Sequence, residues 1–414
     1  HLGHYNVDYT PLLRGFDKFF GYFSGFESYF SHVAEMNFCA EERDCYYDLR
    51  DDWTAVRSTT YNAYLFNREA TKLLDTNHLH ENSNRPFFLY YAMGNVHFPV
   101  QAPETMFREK KDELAGIPNI HRRAFAAMTM ILDDAVGNLT AGLIRNNLYE
   151  NTCIVIASDN GGLPTVDGAA SNWPLRGMKG SYWEGGVRVH ALVRSSLIPV
   201  KLRGTTYDGI FHVTDWLPTL IGGMLGREDV LSTAHWDGIN QWDALVQQAP
   251  PPRNQVLFNI DLDDQSDVTG AIRVGHMKLL VNVLHFPIFP DPKDDFLEVF
   301  EGAWMNTVAD DYMFNLTEDP TESNDLKGSH PDIFREMYNI FSELRATATP
   351  PAFCGLADDK EARTVFNTTQ FIAPWTDEFT GFNCFEIGSD AEVAHSIAQR
   401  CRYGLLPKEQ CATQ

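Results

Sequence analysis

The chain has 414 residues, with 33 Lys and Arg against 56 Asp and Glu, a formal charge of −23 at neutral pH. Its 44% apolar and 21% charged residues are an ordinary globular composition, which excludes a disordered or collagen-like chain. The acidity argues against general nucleic-acid binding, since phosphates are repelled, and no apolar run reaches the roughly 18 residues of a transmembrane segment.

The sequence opens on His1-Leu2-Gly3-His4 with no initiator Met or signal peptide, so an upstream segment is expected. Cys39 and Cys45 lie close together in a polar loop and suit a small disulfide ring. Residues 87–93 (Phe-Phe-Leu-Tyr-Tyr-Ala-Met) are a continuous apolar run and predict a buried strand. Asn95-Val96-His97-Phe98-Pro99 follows directly and places His97 at that strand's end. An imidazole there can bind an anion or protonate a leaving oxygen, the plain alternative being a structural loop histidine. Residues 122–147 carry Phe125, Met128, Ile131, Ala135, Leu139 and Leu143 at spacings of three and four, a core-facing helix. Residues 153–157 predict a second buried strand, with Cys153 a buried thiol. Strand, helix, strand implies a right-handed crossover in a largely parallel sheet.

Ser158-Asp159-Asn160-Gly161-Gly162 follows that second strand. In open α/β sheets ligands bind at the carboxyl ends of strands. Asp159 and Asn160 offer two hard oxygen ligands there, suited to Ca²⁺ or Mg²⁺. Asp-Asn-Gly is also common turn chemistry. Residues 172–188 (Asn-Trp-Pro-Leu-Arg-Gly-Met-Lys-Gly-Ser-Tyr-Trp-Glu-Gly-Gly-Val-Arg) are Gly-rich, aromatic and basic within an acidic protein. Arg176, Lys179 and Arg188 can build a positive pocket, and a lysine is a compact point charge for a tetrahedral oxyanion. Trp173, Tyr182 and Trp183 favour a packed or ligand-lining loop over a freely solvated one.

Residues 213–220 predict a helix start, with Thr214 as cap and Pro218 in the first turn. From residue 256 the texture changes. Residues 256–260, 271–274 and 277–283 predict an antiparallel sheet, 291–311 an acidic surface loop, and 330–344 an amphipathic helix. The expected architecture is α/β, a mostly parallel sheet flanked by helices, with a smaller C-terminal antiparallel sheet plus helix. Three regions follow: 1–255, 256–350, and an irregular cysteine-containing tail at 351–414. Sequons at Asn138, Asn315 and Asn367 point to N-glycosylation and the secretory pathway.

Together these segments resemble the sulfatase family of the alkaline phosphatase-like superfamily, and within it the arylsulfatase B (N-acetylgalactosamine-4-sulfatase) branch. Further motifs carry the likeness: His1-Leu2-Gly3, Arg14-Gly15-Phe16-Asp17, Phe20-Gly21-Tyr22, Tyr29-Phe30-Ser31-His32, Val213-Thr214-Asp215-Trp216-Leu217-Pro218-Thr219-Leu220, Asp237-Gly238-Ile239-Asn240 and Leu316-Thr317-Glu318-Asp319-Pro320-Thr321-Glu322. The resemblance covers roughly residues 1–350 and extends weakly to Trp375. It implies hydrolysis of sulfate esters with one Ca²⁺ and a formylglycine made from a cysteine or serine, whose hydrated aldehyde attacks sulfur. By motif, Asp159 and Asn160 are then Ca²⁺ ligands, Lys179 binds sulfate, and His97 binds sulfate or assists the leaving alcohol. Likewise His1 hydrogen-bonds the formylglycine hydroxyl. Arg176 adds to the substrate pocket on charge alone.

The family's Cys-x-Pro-x-Arg or Ser-x-Pro-x-Arg signature does not occur in the sequence. The early aspartate pair of the calcium site is also absent, as is a lysine that belongs two residues before His1. The expectation is an N-terminally truncated piece, inactive alone, of a lysosomal or extracellular enzyme acting on sulfated glycans or aryl sulfates. The alternatives are a phosphatase or phosphodiesterase of the same superfamily, and a secreted pseudoenzyme that binds sulfated glycans.

Overall fold

The computed structural model describes residues 3–35, 45–76, 86–165, 168–231, 236–262, 268–294, 308–348 and 360–374. His1, Cys39, Cys354 and the cysteines beyond residue 374 lie outside the described residues. Cys45 opens the strand Cys45–Tyr47, which pairs antiparallel with Val33–Glu35. Among the described residues no helix is long and apolar enough to cross a membrane.

Two helices brace the first half. Asn62–Leu74 packs on Ile120–Arg145, where Gly142 lets the side chain of Leu74 approach the long helix closely. The long helix starts because the Asn119 side chain accepts the amides of His121 and Arg122 at 3.0 and 3.1 Å, satisfying two otherwise orphan donors. Its buried stripe runs through Met128, Ile131, Ala135 and Leu143, as the spacing predicts, while Phe125 and Leu139 are half-buried.

The strand Ile154–Ala157 forms, but Cys153 and residues 154–156 are half-buried rather than buried, its partner is Ala191–Arg194 and the pairing is antiparallel. Among the described residues, 87–93 joins no ladder. Its exposure alternates with a period of two, Phe88 being 75% and Tyr90 64% exposed. Within the described residues of 1–414, only one face of this apolar run is covered. At 213–220 the helix opens as the 3-10 turn Val213–Asp215, and its cap is His212, not Thr214. The His212 side chain accepts from the amide of Thr214, and Asp215 returns a bond to the His212 amide at 2.9 Å.

The C-terminal sheet is antiparallel throughout, in the order Asp310–Asn315, Met277–Val283, Val268–Val274, Gln255–Leu262. The first of these begins within the stretch read as an acidic loop, because its two leading aspartates mask a strand whose buried residues, Met313 and Phe314, come later. Side-chain alternation gives the sheet two apolar faces. Ile272, Leu279 and Met313 meet Met337 and Phe341 of the amphipathic helix Pro331–Arg345. Ala271, Leu280 and Phe314 meet Met178 and Trp183 of the Gly-rich loop. Part of the tail read as irregular is the helix Lys360–Thr369, whose Ala362 and Phe366 pack on Ala34 and Tyr46.

Candidate active site

The Gly-rich loop is fixed by backbone contacts that only glycine permits. A Cβ at Gly161 would stand 1.8 Å from the carbonyl oxygen of Gly185, and one at Gly185 would stand 2.5 Å from that of Gly177. This proximity lets the Gly161 amide donate to Gly186 O at 2.9 Å and the Lys179 amide to Gly162 O at 3.1 Å. Asn172 completes the join, bonding Gly162 N at 2.7 Å and Gly162 O at 2.8 Å. The Asp159–Asn160 turn and the Lys179 loop are thus held as one piece.

Lys179 and His97 meet across 82 residues of sequence, Nζ to Nε2 at 2.6 Å. His97 Nδ1 lies 2.7 Å from the Phe98 carbonyl, which can only accept. Nδ1 therefore carries the proton, and Nε2 accepts from the ammonium of Lys179. Burial lowers the His97 pKa below an ordinary histidine, and the Lys179 charge adds to this. The Phe98 hydrogen bond and Asp159 oppose it. Burial likewise lowers Lys179, with Asp159 opposing. A histidine NMR titration is expected to place His97 below the ordinary 6.5. Lys179→Met should move it upward by removing a facing cation; an unchanged or lower midpoint would contradict this electrostatic account.

Asp159 is exposed and Asn160 half-buried, its Nδ2 donating to Gly161 O at 2.9 Å. Hard oxygens beside a lysine and a histidine fit a hard divalent cation by donor type. Such an ion takes at least six oxygens, and among the described residues no group of three or more His, Cys, Asp and Glu could hold a metal. These two residues are therefore at most part of such a site.

Arg176 is engaged elsewhere. Its Nη1 lies 3.1 Å from His285 Nε2 and 3.2 Å from Phe286 O, and the guanidinium sits over the ring of Trp183, 5.1 Å from its centroid. Trp183 is fully buried, whereas Trp173 is 49% exposed. Asn138 and Asn367 are exposed on helices and Asn315 is half-buried at a strand end.

Sequence reasoning missed the buried Lys278, which sits 2.8 Å from both Glu184 Oε1 and Glu322 Oε1. Glu184 belongs to the Gly-rich loop and Lys278 to the C-terminal sheet, so this ionic cluster clamps one to the other. A lysine among buried apolar strand residues was its one signal.

The Sulfatase family pattern matches residues 1–226, more than half of the chain. The chain belongs to the sulfatase family. Arylsulfatase J of Mus musculus is 36% identical over 376 residues, covering 84% of this sulfatase and 59% of that protein. Arylsulfatase A of Homo sapiens is 27% identical over 272 residues, covering 64% and 49% respectively. The chain thus spans 59% or less of the length of these two curated relatives. The crystal structure of Ps i-CgsB in complex with k-i-k-neocarrahexaose matches with a TM-score of 0.64 at 24% identity, covering 87% of this chain and 73% of that one. The fold is that of the alkaline phosphatase-like sulfatases, a mixed α/β body with a small antiparallel C-terminal sheet.

Proposed function

We propose that the protein hydrolyses sulfate monoesters as an arylsulfatase-type enzyme, with sulfated glycans as its substrate class. The observation that carries this reading is the 2.6 Å contact of Lys179 with His97 beside the Asp159–Asn160 turn. The half-buried ammonium of Lys179 would bind sulfuryl oxygens and offset charge that grows on them in the transition state. Once Lys179 turns to the sulfate, Nε2 of His97 is released, with Nδ1 still held by Phe98. Nε2 is then the nitrogen that takes up a proton and delivers it to the leaving oxygen. Asp159 and Asn160 would hold Ca²⁺ with further ligands from elsewhere. Calcium and a formylglycine, when present, would supply Lewis-acid charge neutralisation and a hydrated-aldehyde nucleophile. Because no Cys-x-Pro-x-Arg or Ser-x-Pro-x-Arg occurs in residues 1–414, the reading requires a nucleophile from outside them.

The arylsulfatase relatives support the enzyme type. The likeness to the arylsulfatase B branch makes N-acetylgalactosamine 4-sulfate the first glycan unit to test. Passage through the secretory pathway to a lysosomal or extracellular destination, with glycans on the three sequons, belongs to the same reading.

The test has two arms. Calorimetry of this chain with 4-nitrophenyl sulfate and N-acetylgalactosamine 4-sulfate is expected to show saturable binding. Protein carrying the converted nucleophile is expected to release sulfate from one or both. Preference for phosphate monoesters, or glycan binding without turnover by the converted protein, would overturn the reading.

A further inference from the structure

The turn that carries His97 rests on a buried cluster that the proposed chemistry does not use. Tyr29 is fully buried, and its hydroxyl lies 2.5 Å from Gly94 O and 3.0 Å from His97 O. Those carbonyls bracket the turn, which is closed by the His97 amide donating to Gly94 O at 2.9 Å. Tyr29 is itself fixed from three sides. Its amide donates to Gln101 Oε1 at 3.0 Å, its carbonyl accepts from the Asn62 amide at 2.8 Å, and its ring stacks on Tyr61 at 5.3 Å. Beside it the buried Glu27 carboxylate binds His32 Nδ1 at 3.1 Å and Asn62 Nδ2 at 3.3 Å, tying the same segment to the start of the 62–74 helix. From the other side Phe26 stacks on the His97 imidazole, centroids 5.3 Å apart and planes 25° apart.

We propose that Tyr29 and Phe26 are the positioning residues of His97: the Tyr29 hydroxyl fixes the height of its turn, and the Phe26 ring fixes the plane of its imidazole. Both act through His97, Tyr29 on its carbonyl and Phe26 on its ring. The tautomer of His97 rests on two anchors, the Phe98 carbonyl at Nδ1 and the Lys179 ammonium at Nε2, and both alignments shift if the turn or the ring moves. What the pair then does rests on the sulfatase reading; how it is held does not.

The experiment compares Tyr29→Phe and Phe26→Leu with Tyr46→Phe, a control that removes a buried hydroxyl bonded at 2.8 Å to Asn367 instead. Nitrogen NMR of histidine-labelled protein reads the His97 tautomer without needing turnover. Wild type and Tyr46→Phe are expected to show a single Nδ1–H form. Tyr29→Phe and Phe26→Leu are expected to show mixed forms. In nucleophile-converted protein, Tyr29→Phe should lower kcat by about a hundredfold with KM little changed, as for a misplaced catalytic group. An unchanged His97 signal in both variants, or a mixed tautomer in wild type, overturns the proposal. Should Tyr29→Phe fail to fold, Phe26→Leu decides. Absence of turnover in nucleophile-converted protein without these substitutions would sink the sulfatase reading and leave the NMR arm to judge this one.

Discussion

Lys179→Ala is expected to weaken sulfate monoester binding about ten- to a hundredfold, the loss of one half-buried charge-assisted hydrogen bond. Turnover by nucleophile-converted protein should fall further, by about 10²–10³-fold, because the charge it faces grows towards the transition state. The protein as a whole is strongly negative, so no long-range field gathers the anionic substrate and the local cation has to do so. Lys179→Arg should restore little. The guanidinium is longer and planar, and Lys179 has to reach both His97 Nε2 and a sulfate oxygen as a point charge. Calorimetric Kd and initial rates for wild type, Lys179→Ala and Lys179→Arg decide the matter. Equal affinities across the three would remove Lys179 from the site.

Lys278→Met should destabilise the fold by about 3–5 kcal/mol, since it strands two buried carboxylates without their cation. The loss should depend on pH in a definite direction. Burial already raises the pKa of Glu322, with Lys278 acting to lower it. An acid raised in the folded state keeps its proton there while the unfolded chain releases it, so stability falls as pH climbs through that window. Without Lys278 the folded pKa rises further. The deficit is therefore expected to be largest near neutrality and to shrink as pH drops towards the ordinary carboxylate range. Urea denaturation of wild type and variant between about pH 7.5 and 4.5 measures this. A deficit flat across the range would show that the stranded carboxylates find other partners. Replacing Glu184 and Glu322 by glutamine alongside Lys278→Met should recover much of the loss, because no buried charge then remains unpaired. Because Glu184 sits in the Lys179 loop, the single variant should also weaken sulfate binding.

The sequence by itself determined the features that depend on near neighbours. The stripe through Met128, Ile131, Ala135 and Leu143 folds as a helix because its period is local. Residues 277–283 form the strand predicted for them, and 330–344 falls within one residue of the helix Pro331–Arg345. Motif order likewise marked the family. Only the tertiary structure decided what couples distant segments. It paired Ile154–Ala157 antiparallel with Ala191–Arg194, a choice of partner that apolar content does not encode. It turned Arg176 towards His285 and Trp183, since a charge in a sequence has no direction until its loop is packed. It set Tyr29 beneath His97 and Lys278 between two glutamates, joining residues 68 and 94 positions apart through buried polar bonds. Such bonds are worth most where water is excluded, and burial is a property of the assembled fold rather than of any stretch of the chain.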